Sequence, residues 1–98
     1  MAATRREVGA GEDDARRVFA AEGCSAPRSW SNGPGDRYGQ HAHDTHKVLF
    51  CLEGSIVFHT DEGDLELFAG DRLDIDRGTP HAASVGAAGC RCVEAMRR

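Results

Sequence analysis

No run of apolar residues in this chain approaches the length a bilayer demands, which excludes a helical membrane span. The amino terminus carries no signal-peptide core, so the expected location is the cytoplasm. A basic stripe is also missing. Net charge is −4, and the arginines gather at the two ends (Arg5, Arg6, Arg16, Arg17, Arg97, Arg98) rather than over one patch. That excludes a nucleic-acid partner, whose binding rests on clustered cations that displace counterions. There is no internal repeat and no low-complexity tract, and the connections are too short for the crossover helices of a parallel sheet. Four cysteines stand at 24, 51, 90 and 92. In a reducing compartment these are expected as free thiols, and Cys90-x-Cys92 as two small core residues on one strand face.

Turn residues are plentiful. The 98 residues include twelve glycines against three prolines, and most of the glycines punctuate short apolar runs. The length allows a single domain. Hydrophobic residues make up 40%, a normal share for a folded core. Gly11 to Gly23 reads as a short helix with Asp13 and Asp14 near its positive end and Gly23 as its stop. Its narrow apolar face (Ala15, Val18, Phe19) predicts packing on something larger, and the residues before it are expected to fray.

From Ser25 onward the pattern is strand and turn. A strand around Trp30 is followed by a turn at Asn32–Asp36 and an extended segment from Tyr38 to His43. Lys47 to Leu52 suits a strand buried on both faces. Gly54 interrupts it before Ser55–Thr60, and Asp61–Asp64 forms a hairpin turn. Leu65 and Leu67 alternate with Glu66 and Phe68. Leu73 and Ile75 alternate with Arg72, Asp74 and Asp76, predicting one wet face. His81–Val85 and Cys90–Met96 complete the set. About seven or eight short strands at this spacing predict an all-β sandwich or barrel.

Three of the histidines suggest chemistry. His41 and His43, two residues apart on an extended segment, share a face. His81 can join them only if the sheet closes. Three converging imidazoles make an open site for a divalent ion. His59 reads as a surface or mouth residue. Trp30, Tyr38, Phe50, Phe58 and Phe68 are available to line a pocket or fill the core, and Tyr38 lies nearest in sequence to the histidine pair.

The spacing carries more. Gly35-x5-His41-x-His43-x3-Lys47-x6-Gly54 follows the first cupin motif except at Lys47, where that motif has glutamate. Gly70, Gly78 and His81 follow the second, with Asp76 and Val85 in place of its proline and asparagine. Residues 30 to 96 thus resemble a small single-domain cupin. The resemblance implies an all-β, cupin-type antiparallel β-barrel, jelly-roll-like, with one short N-terminal helix. Residues 1–24 are then an arm and helix, and 25–98 the barrel. It further implies a divalent metal ion (zinc, iron, manganese or nickel) on His41, His43 and His81, a small-molecule ligand and a homodimer. Lys47, His46 and Tyr38 are additional candidate site residues. Position 47 shares the parity of His41 and His43, so Lys47 is expected to point at or beside their meeting point, its flexible stem carrying the charge to water because an ammonium near a dication is repelled. Lys47 pairing with an anionic ligand is the alternative. Two functions remain open: a metal-dependent enzyme acting on a small molecule, and a non-catalytic binding or sensing module without metal.

Overall fold

Alternating apolar residues and frequent turns leave antiparallel pairing as the way to satisfy the backbone. The computed structural model describes residues 2–97. The elements are β1 (Ala3–Glu7), α1 (Glu12–Ala21), β2 (Arg28–Asn32), β3 (Arg37–His41), β4 (His46–Thr60), β5 (Gly63–Phe68), β6 (Asp71–Ile75) and β7 (His81–Arg97). All pairings are antiparallel. Among the described residues no helix is long and apolar enough to cross a membrane.

β4 and β7 organise the sheet. They pair along almost their whole length, from His46 opposite Arg97 to Thr60 opposite His81, with register shifts at Cys51/Glu53 and Gly54/Ile56. These bulges bend both strands and divide the sheet into two leaves. One leaf has the order β1-β6-β4-β7-β2. The other carries β5 on the far half of β4 and β3 on the first half of β7. The result is a jelly-roll-like barrel whose ladder ends at β1 and β2 rather than closing on itself. What the sequence presents as four short strands, split at Gly54 and at Gly86–Gly89, is two long bent ones.

The bend also changes which parity faces inward. Before it, Leu49 and Cys51 of β4 enter the barrel core; after it, Ile56 and Phe58 do. On β7 the inward set changes from Ala83 and Val85 to Cys90 and Cys92. All four cysteines are free thiols, three of them buried.

Helix α1 lies on the outer face of the first leaf. Ala15 and Phe19 pack on Val48, Phe50, Val93 and Ala95, with the Phe19 and Phe50 rings edge-to-face at 5.5 Å. This explains the continuous apolar run of β4: one face fills the barrel and the other receives the helix. The helix starts where the Asp14 carboxylate accepts the Gly11 N–H at 3.0 Å, and ends before Gly23 at a φ of 69°.

Two local expectations are corrected. The residues ahead of the helix are not frayed, because β1 pairs with β6 from Ala3 opposite Ile75 to Glu7 opposite Asp71. β6 has no wet face either. Arg72 is 6% exposed, lying over the Phe50 ring and paired with Asp74 and with Glu22 at the C-cap of α1.

Candidate metal centre

The first histidine ends a strand and the third begins one. His41 is the last residue of β3 and lies directly opposite His81, the first residue of β7. His43 is not on a strand as expected; it sits in the connection between β3 and β4. Its carbonyl accepts the Gly78 N–H at 2.8 Å, which ties this connection to the turn before His81. The three rings therefore meet. Centroids lie 4.3 Å apart for His41 and His81, 4.9 Å for His41 and His43, and 5.2 Å for His43 and His81. One ring nitrogen from each lies within 4.8 Å of the other two.

Backbone carbonyls set the ring orientations. The Nδ1–H of His41 donates to Gly39 O at 2.7 Å, and that of His81 to Thr79 O at 2.9 Å. These bonds leave the Nε2 lone pairs free, the arrangement that metal-bound histidines use. Nε2 of His43 and Nε2 of His81 are buried and, among the described residues, have no hydrogen-bond partner. An unpartnered buried acceptor is costly, and two of them converging are a donor set suited to a dication. Burial, with Lys47 and the neighbouring rings, holds His43 below the usual imidazole range. Burial likewise lowers His81, against the raising effect of its bond to Thr79. Both imidazoles are then neutral at neutral pH, the form that binds metal.

The other histidines have their nitrogens engaged. His46 faces away from the cluster and contacts Asp74 at 2.9 Å and Asp76 at 3.2 Å. His59 contacts Asp64 and Ser84, each at 2.8 Å. Asp44 is exposed and outside the cluster.

A cavity of about 270 Å³ opens beside the rings, lined by His41, His81, Lys47, Glu94 and the aromatic residues Trp30, Tyr38 and Phe58. Tyr38 reaches it, packed edge-to-face on Trp30 at 5.8 Å, with its hydroxyl bonded to Asn32. Phe50 lies instead under the helix, and Phe68 is 51% exposed.

Residues 30–95 match the model of the cupin domain family, more than half of the chain. This chain belongs to the cupin family. It is 39% identical over 54 residues to quercetin 2,3-dioxygenase of Bacillus subtilis (strain 168), a match covering 53% of this chain and 16% of that enzyme. The chain thus spans only a small part of the curated relative it matches. A DUF861 family protein of Thermotoga maritima superposes with a TM-score of 0.70 at 14% identity, covering 97% of this chain and 99% of that one. A cupin superfamily protein of Desulfitobacterium hafniense DCB-2 gives 0.68 at 12% identity, covering 98% and 77%. These likenesses establish the fold.

Against the cupin motif, the departure at position 47 has a definite structural form. Lys47 does not carry its charge to water. Its side chain is 9% exposed and turned into the barrel, with Nζ 3.4 Å from Glu94 Oε2. The other oxygen of Glu94 accepts the Trp30 Nε1–H at 2.7 Å. Partner satisfaction inside the barrel thus replaces the expected exit to solvent. Sequence reasoning missed Glu94, although one signal was present: it continues the parity of Cys90 and Cys92, so an acid occupies an inward position.

Proposed function

We propose that this cupin holds one divalent ion, zinc, iron, manganese or nickel, on His41, His43 and His81, and that a small molecule occupies the adjoining cavity. The observation that carries this reading is the pair of buried, unpartnered Nε2 atoms of His43 and His81 in a three-imidazole cluster. A three-histidine set leaves coordination positions open, and an ion there supplies Lewis acidity to a bound donor atom. The chain's own contribution is orientation by Gly39 and Thr79, and a half-open cavity beside the rings. Similarity to part of a quercetin 2,3-dioxygenase supports oxygenase chemistry as one reading of the site.

A second reading, a small-molecule binding or sensing module without metal, is favoured by Lys47 standing where the motif has a carboxylate. Calorimetric titration with zinc and nickel separates the two. The expected result is one ion per chain in the wild type. His41 is exposed, so His41→Ala leaves the core intact. It should weaken binding by more than the roughly 10–100-fold that loss of an outer-shell partner costs. Equal affinities for the two proteins, or no binding to either, would favour the metal-free module.

A further inference from the structure

The position that most distinguishes this barrel also names the class of ligand it takes. Lys47 is 7% exposed, and its ammonium faces the cavity beside His41 and His81. Among the described residues its ion-pair partner is Glu94, at 3.4 Å, and that carboxylate is shared with Trp30. An ammonium is a compact charge with three donors, strongly hydrated when water can reach it. Here one divided carboxylate stands in for that hydration. Arg28, exposed at the rim, is a second cation on the cavity lining, against the single acid Glu94. A dication on the histidines would add to the positive charge. A neutral occupant would leave the buried ammonium with one divided carboxylate, whereas an anion adds a charged acceptor to it.

The walls limit what kind of anion fits. Trp30, Tyr38, Phe58 and Ala83 line the same space. They offer flat apolar surface, which a bare inorganic oxyanion does not use. The volume, about 270 Å³, lies just under the roughly 300–1,000 Å³ of pockets that take drug-sized ligands. We infer that the cavity binds a small organic carboxylate with a flat apolar body, its carboxylate on Lys47 and its body against Trp30, Tyr38 and Phe58. This rests on the reading of the cavity as a small-molecule site beside the three histidines.

Benzoate, its neutral isostere benzamide and inorganic phosphate are suitable probes, titrated by calorimetry into the zinc-loaded and the metal-free protein. Benzoate should bind at least about ten-fold more tightly than either of the others. Lys47→Met, close in length and apolar, should abolish the preference for benzoate over benzamide. A second readout requires no variant: the ε-methylene resonance of Lys47 should move on addition of benzoate and stay in place with benzamide. Equal binding of benzoate and benzamide, binding of neither, phosphate binding as tightly as benzoate, or an unmoved Lys47 resonance would each overturn the assignment. Zinc titration in parallel keeps the two readings apart. Zinc uptake without carboxylate preference overturns this inference alone, and carboxylate preference without zinc uptake supports it while removing the metal.

Discussion

At position 47 a single substitution relative to the family motif changes the electrostatics of the whole site. An ammonium lies where a carboxylate ligand would be, and Glu94 on β7 supplies the local negative charge instead. Lys47→Glu tests the consequence. It places two carboxylates side by side, which destabilises the metal-free barrel because both cannot ionise there without cost. It also removes a repulsion from the ion and adds a ligand. The melting temperature without metal should therefore fall, and zinc affinity should rise by about ten-fold or more. Thermal melts with and without zinc, together with calorimetry, report both effects. Unchanged zinc affinity would mean that the charge at position 47 does not reach the ion.

Among the elements, β4 carries the architecture, and its bend depends on one residue. Gly54 has a φ of +70°, and a Cβ built on it would lie 1.9 Å from the Gly89 carbonyl oxygen. Both facts bar a side chain: the left-handed region is unfavourable for other residues, and a backbone atom of the neighbouring strand cannot move aside cheaply. Gly54→Ala should cost about 3 kcal/mol or more. Gly39→Ala is the control, since a Cβ on Gly39 meets nothing within 4 Å. It should change stability by less than about 0.5 kcal/mol. Urea denaturation of the two variants decides the matter, and equal midpoints would show that the bend tolerates a side chain.

Over the whole molecule, one ion network centred on the buried Arg72 joins four strands and the C-cap of α1. Arg72 of β6 bonds Glu22 at the end of α1 with two nitrogens, at 2.8 and 3.0 Å, and holds Asp74 at 2.7 and 2.9 Å. Arg97 of β7 reaches Glu22 at 2.9 Å, Arg6 of β1 reaches Asp74 at 3.5 Å, and His46 of β4 contacts Asp74 at 2.9 Å. Burial by itself raises the Asp74 carboxyl, but the bonds from Arg72 and His46 outweigh it and bring the group down from 3.8 to about 2. The sign of the pH dependence follows. A carboxyl depressed on folding adds stability that is complete above its unfolded value and disappears as pH falls through the folded value. At about 1.36 kcal/mol per unit, the contribution is about 2 kcal/mol. Asp74→Asn should thus be less stable than wild type by about that much at pH 7, with the gap closing as pH falls from 4 towards 2. Urea midpoints measured across this range check it. A gap independent of pH would assign the effect to packing rather than charge.

Much of this was legible without coordinates. Period-two alternation and glycine-rich turns marked the strands, the dipole-compatible helix lay where Asp13, Asp14 and Gly23 placed it, and two motifs brought His41, His43 and His81 into one argument. Local sequence reports local structure, since the turn residues and the alternation are read over a few positions. What it could not report was pairing between residues far apart. β1 was invisible because Ala3–Glu7 becomes a strand only against β6, some 68 residues away in register. Arg72 looked solvent-facing until Glu22 at the C-cap of α1 paired with it, and Lys47 looked free to reach water until Glu94 on β7 met it inside the barrel. Parity also failed across the bulges, where one extra residue turns every later side chain to the opposite face. Turn spacing and alternation determined an antiparallel sandwich or barrel, and the resemblance to the cupin motifs implied that three histidines meet in it. Only the tertiary structure decided that two of those histidines are left with buried, unpartnered nitrogens beside a caged lysine, because both burial and the supply of partners are set by strands that meet after folding.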